Sequence, residues 1–201
     1  MLDLQDQFGE IDIYLFDQLL RGRISRDRPV LDAGCGSGRN LVYLLRSGYE
    51  VLAADAEARA VEDVRGLAAA LAPILPAANF RVEPVEAMSF PEGIAGTVII
   101  SAVLRFARDD GHFDAMLRSS WRALGPGGLF FCRLASSIGM EDRCRRIAGR
   151  GFLLPDGSER YLVDEPMLMR LTEQLRARLL DPLKTTLVQD RRCMTTWVLR
   201  K

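Results

Sequence analysis

The stretch Val30-Leu31-Asp32-Ala33-Gly34-Cys35-Gly36-Ser37-Gly38-Arg39-Asn40 decides how the rest of the chain is read. A short apolar run leads into three glycines at alternate positions, and Leu41-Val42-Tyr43-Leu44-Leu45 follows with helical character. Strand, Gly-rich turn and helix start is the arrangement that brings a nucleotide-like ligand close to the main chain. Gly34 and Gly36 carry no side chain to hold such a ligand off. Dinucleotide sites use G-x-G-x-x-G, whereas this chain reads Asp32-x-Gly34-x-Gly36-x-Gly38, with Arg39 where the third Gly of that pattern belongs.

An acid followed by G-x-G-x-G resembles motif I of the class I S-adenosylmethionine (SAM) dependent methyltransferases. A second stretch supports the resemblance far along the chain: Leu124-Gly125-Pro126-Gly127-Gly128 resembles the turn before that family's fifth strand. Gly36-Ser37-Gly38-Arg39-Asn40-Leu41 and Tyr43-Leu44 are also similar to the tellurite-resistance type branch. The resemblance runs from about residue 10 to the end. It implies an α/β Rossmann-like fold, with a seven-stranded mostly parallel sheet, helices on both faces and a C-terminal antiparallel strand pair.

Elements follow in matching order. Residues 10 to 24 read as an amphipathic helix, with Ile11, Leu15, Phe16, Leu19 and Leu20 at three- and four-residue steps. Residues 1–25 are expected to form a helical lid, to which Asp12 and Tyr14 belong. Glu50 to Asp55 reads as a second strand ending in a carboxylate 17 residues beyond Gly38. Asn79 to Val85 is a third strand, and Thr97 to Leu104 is apolar enough for a central strand buried on both faces. Asp109 or Asp110 caps the next helix, with Phe113, Met116, Leu117, Trp121 and Leu124 facing inward. His112, in its first turn, reads as an exposed or capping residue.

Residues 135–163 fit this pattern poorly and are expected to form an insertion near the substrate site. Ser136 to Arg146 has helical potential, and Phe152 to Val163 reads as a hairpin turning at Asp156-Gly157-Ser158. Arg143, Arg145, Arg146 and Arg160 can steer an anionic substrate from there. Asp164-Glu165-Pro166 opens the last helix, and Pro182–Val188 with Cys193–Leu199 closes the chain.

The resemblance implies SAM as cofactor. Gly34, Cys35 and Gly36 would lie against it. Asp32 or Arg39 would meet its amino-acid end, since a guanidinium fork suits a carboxylate. A carboxylate at Asp55 accepts from both ribose hydroxyls, with Ala56 beside it. Val85, Glu86 and Ala87 would surround adenine. Pro84 stands in the place of the family's usual adenine-binding acid, so either Glu86 takes the adenine amino group or only backbone contacts remain. Ser101, on the fourth strand, joins the expected cofactor contacts, and with Arg105 and Phe106 of the loop after that strand, where the family places substrate-facing side chains, it can face the active site. Arg105 stands where relatives often carry histidine, and it joins Tyr14 as a candidate for a catalytic role.

Composition narrows the remaining classes. In 201 residues, Lys+Arg and Asp+Glu both number 27, so there is no basic excess of the kind a nucleic-acid footprint produces. One histidine and four scattered cysteines without a C-x-x-C pair offer no metal site. No apolar run approaches 18 residues, and Met1 to Asp6 lacks the basic-then-apolar start of a signal peptide. The expectation is therefore a single cytoplasmic methyltransferase domain over residues 1–201, acting on a small molecule. A SAM-binding sensor or partner without transferase activity is the alternative, and an NAD(P) oxidoreductase a third. The oligomeric state is not set by the sequence.

Overall fold

The computed structural model describes residues 3–201. Residues 1 and 2 of the expected lid lie outside the described residues. The strands β1 (Val30–Ala33), β2 (Val51–Asp55), β3 (Phe80–Val82), β4 (Ala95–Ser101) and β5 (Leu124–Ala135) are parallel, in the order β3-β2-β1-β4-β5. After them come the short β6 (Arg145–Ala148), β7 (Gly151–Leu153), β8 (Glu159–Tyr161) and β9 (Arg178–Leu179). The closing pair, β10 (Lys184–Val188) and β11 (Arg192–Arg200), joins the sheet antiparallel, with β11 against β5. The seven-stranded expectation holds along this path, and two-residue β9 adds to β11 as an eighth.

Side chains of the central strands alternate between two cores, which is why the strands read as continuous apolar runs. Leu31, Leu52, Val98, Ile100 and Phe130 face one side, with α5 (Asp110–Ala123) and α6 (Glu165–Gln174) packed there through Phe113, Leu117 and Leu168. Val30, Val51, Ala53, Ile99 and Phe131 face the other, where α2 (Ile13–Leu20), α3 (Val42–Arg46) and α4 (Ala58–Leu71) bury Leu15, Leu44 and Val64. In the order of the sheet, β1 is flanked by β2 on one side and by β4 on the other. The chain reverses direction of travel there, which leaves a crevice above the strand ends.

Three local expectations change. The helix expected over 10–24 is confined to α2, because Asp12 turns the chain and caps it by accepting from the Tyr14 N–H. A further short helix, α1 (Leu4–Phe8), precedes it and stacks Phe8 on Tyr43, the ring centroids 5.1 Å apart. Ser136 to Arg146 is not helical. Ser136 is fully buried and spends its hydroxyl on Thr195 and Cys193 of β11, while Ser137 donates its N–H to Val163, so the segment is pinned at its N-terminal end. The hairpin at Asp156-Gly157-Ser158 forms, but with a third strand: β6, β7 and β8 make a separate antiparallel sheet. Stacking of Tyr161 on Phe113 at 4.9 Å, and its hydroxyl donating to Asp110 at 2.7 Å, dock this sheet beside the loop after β4.

Candidate functional site

The crevice holds two adjoining cavities, of about 410 and 550 Å³, which share Gly34, Gly36, Ser101 and Ala102 as their dividing floor. The larger is lined by Asp55, Ala56, Pro84, Val85, Glu86 and His112, among others. Cys35, Ser37, Arg39, Asn40, Arg105, Arg133 and Arg192 line the smaller. The structure brings most of the expected candidates together: of the proposed cofactor contacts, only Asp32 and Ala87 are absent from both linings. Ala87 is the exposed last residue of the one-turn helix Val85–Ala87, and Asp32 lies buried under the loop.

Backbone geometry builds the floor. Gly34 has φ +78°, and a Cβ there would come within 2.5 Å of Val103 Cγ2. Gly36, at φ +52°, has open space where a Cβ would stand, so any side chain would enter the crevice. Ala102, the residue after β4, has φ 63°, a strained conformation for a residue with a Cβ, and it lines both cavities.

The N–H groups of the glycine loop are largely spent inside the protein. Gly34 and Cys35 donate to the Ala54 carbonyl, Gly38 to the Cys35 carbonyl, and Gly36 to Asp55 Oδ2 at 2.9 Å. A pyrophosphate needs such donors free and a helix N-terminus beneath it. Here α3 is five residues long and begins only at Val42. Asp55 Oδ1 also accepts from the Glu57 N–H at 3.0 Å, so its carboxylate is held rigidly at the cavity wall with lone pairs to spare.

Two features behind the wall carry charge. Asp32 is 2% exposed, and its Oδ2 has no hydrogen-bond partner. Burial pushes its carboxyl up to about 7, against the pull of Arg39 and with a smaller push from Asp55. Asp12, also buried, meets Arg133 in an ion pair and lies 3.9 Å from Arg39, while its N–H donates to Asn40 Oδ1. Arg39 donates to Ser101 Oγ at 3.1 Å. The Cys35 thiol is pushed up chiefly by burial, which keeps it protonated and inert.

Tyr14 does not line either cavity. Its hydroxyl pairs with Thr186 of β10 at 2.9 Å, and its ring lies beside Arg133. No residue of the two N-terminal helices lines either cavity; they reach the site through Asp12. His112 takes part in the cap, its Nδ1 accepting from the Arg108 N–H at 3.2 Å while its own N–H donates to Asp109 Oδ1, but its side chain is not exposed. Asp109 makes the cap, and the His112 ring, 11% exposed, lines the larger cavity with Nε2 3.1 Å from Glu86 Oε1. Arg133 and Arg192 escaped sequence reasoning. A charge inside the apolar run Phe130-Phe131-Cys132-Arg133-Leu134 was the available signal for the first; nothing local marked the second.

Comparisons agree with this geometry. Residues 30–128 match the family model of the methyltransferase domain. No curated protein matches the chain. A SAM-dependent methyltransferase structure from Methanosarcina mazei is 20% identical, covers 91% of this chain and 96% of its own, and superposes with a TM-score of 0.71. The 1,6-didemethyltoxoflavin-N1-methyltransferase of Burkholderia thailandensis, solved with 1,6-didemethyltoxoflavin and S-adenosylhomocysteine (SAH), is 19% identical over 99% of this chain and 81% of its own, with a TM-score of 0.70. The 4+2 cyclase SpnF is 14% identical over 93% and 80%, with a TM-score of 0.68. Residues 30–128 are thus similar to a methyltransferase domain, and the chain is built on the fold of the class I SAM-dependent methyltransferases.

Proposed function

We propose that the chain binds SAM across the two cavities and transfers its methyl group to a small-molecule acceptor. The observation that carries this reading is the Asp55 carboxylate, fixed by two backbone N–H donors at the wall of a cavity whose glycine loop has few donors left for phosphate. A diol matches that arrangement; a pyrophosphate does not.

The residues present fit the cofactor. Asp55 accepts from the ribose hydroxyls, with Ala56 beside it. Val85 and Glu86 flank adenine, and Glu86 stands in for the acid that Pro84 displaces. Arg39, in the lining of the smaller cavity, suits the carboxylate of the amino-acid end, and Asp32, buried beneath the glycine loop, supplies negative charge toward its ammonium without touching it. Gly36, with open space beside its Cα, lets the ligand lie against the main chain.

SAM supplies a methyl that its sulfonium has already made electrophilic: the bond to sulfur breaks with its electron pair as a lone pair of the acceptor takes the methyl up. What this chain's residues must do is align the partners and keep water out. Arg105 lines the smaller cavity, where the acceptor would lie, and positions it rather than removing a proton. Tyr14 is committed to Thr186 and takes no part.

A second reading, a SAM-site protein that transfers no methyl, is favoured by one observation: a cyclase shares the fold at a TM-score of 0.68. Turnover of methyl-labelled SAM against a metabolite panel separates the two. Transfer supports the proposal, and tight SAH binding without transfer to any acceptor supports the second reading. Thermal shift with SAH against NAD(P) checks the ligand class; stabilisation by NAD(P) alone would sink both.

A further inference from the structure

The smaller cavity carries more positive charge than a cofactor needs. Four arginines line it: Arg39, Arg105, Arg133 and Arg192. Arg133 is neutralised by Asp12, and Arg39 lies near the same carboxylate. Arg105 and Arg192 form no ion pair among the described residues, and the Arg105 Nε is buried without a partner. A third guanidinium joins them from the small sheet. Arg160 lies over the Phe106 ring at 5.1 Å, with Arg105 over the same ring at 4.8 Å, and both line the adjoining cavity of about 360 Å³.

Bringing guanidiniums together this way costs repulsion in a partly desolvated site. Arg105 feels it: burial first, then Arg160, Arg192 and Arg39, push its guanidinium below the ordinary value. The carboxylate nearest in effect is Asp156, at the exposed turn of the β7–β8 hairpin, where its own oxygen is taken up by Ser158. Phe106, 55% exposed, holds two of the cations by its ring faces. Ala102, Val188 and Met194 give the same cavity apolar wall.

We propose that the methyl acceptor is a small anion, a carboxylate or phosphate head on an apolar body, whose head is bound by Arg105 and Arg192 within the field of Arg160. The proposal rests on the SAM-site reading, which places the acceptor in the smaller cavity. It makes Arg105 and Arg192 specificity-determining residues and assigns the insertion a role in recognition. Of the arginines expected from the sequence to steer an anion, only Arg160 is so placed: Arg143 is paired with Asp190, Arg146 bonds the Gly149 carbonyl, and Arg145 lines none of these cavities.

Isothermal titration of the SAH-loaded protein with benzoate, phenyl phosphate and the neutral benzamide tests this. At least one anion is expected to bind roughly tenfold or more tightly than benzamide, and the preference should shrink as salt is raised. Benzoate alone, or phenyl phosphate alone, would identify the head group. Arg105→Gln with Arg192→Gln should abolish the preference while SAH affinity stays within about twofold of wild type; the double Lys replacement should keep part of it. Equal binding of benzamide, no binding of either anion at millimolar concentration, or an undiminished preference in the Gln variant would overturn the proposal. SAH is titrated first and alone, so failure of the cofactor reading shows before any anion is added. The anions are then run on the SAH-free protein and read by the same criteria.

Discussion

Asp12 and Arg133, 121 residues apart, form an ion pair that ties the N-terminal helix to the fifth strand under the cleft. The Asp12 side chain is fully buried, and its other oxygen caps α2. One carboxylate thus anchors a helix, neutralises one arginine of the cleft and lies near a second.

Asp12→Ala should therefore be costly beyond its size. It leaves Arg133 without a counter-ion and removes a helix cap, a combined loss of about 3 kcal/mol. Thermal denaturation should show a drop of roughly 5–10 °C. Asp12→Asn, which keeps an oxygen for the cap, should recover part of it. A melting temperature unchanged by Asp12→Ala would show that the pair contributes nothing to stability.

Asp32 predicts a pH dependence. Burial raises its carboxyl from 3.8 to about 7. Between those values the folded protein holds a proton that the unfolded chain has released, so this group's contribution to stability falls as pH rises from about 4 to about 7. SAH binding runs the other way. An ionised Asp32 is what the ligand's ammonium needs, so affinity should rise from pH 5 to 8, by up to about tenfold per unit below the midpoint. Asp32→Asn should flatten that profile; a wild-type affinity constant over the range would remove Asp32 from the site.

Glu86 and Glu83 make a matched pair of tests. Glu86 lines the larger cavity against His112, whereas Glu83 turns away and accepts from the Ser89 N–H and hydroxyl. Glu86→Ala should weaken SAH binding by about tenfold, the worth of a hydrogen bond to a charged group. Glu83→Ala should leave it unchanged. Equal effects from the two would mean that this loop recognises adenine by its backbone.

Much of this was legible in the sequence because local chemistry carried it. The glycine loop, the Asp55 strand end, the Pro-Gly-Gly turn and the apolar runs are each short-range signals, and they carried the α/β class and most of the residues that line the two cavities. What escaped was made by long-range packing. His112 caps the start of α5, as its place in the first turn suggests, but the same turn also carries its ring off the surface and to within 3.1 Å of Glu86. Ser136 to Arg146 has helical composition, yet its end is held by β11. Arg133 and Arg192 enter the cleft only because the closing strand pair runs antiparallel beside β5. Four positive charges from four places in the chain cannot be seen as a cluster before the sheet is assembled.

The central claim is that Asp55 holds a SAM-type ligand by its ribose, and titration calorimetry of SAH into wild type and Asp55→Ala tests it most directly. A saturable site in the wild type, weakened by about a hundredfold in the variant through loss of two charge-assisted hydrogen bonds, is the predicted result. Undiminished affinity in a folded Asp55→Ala protein would contradict it.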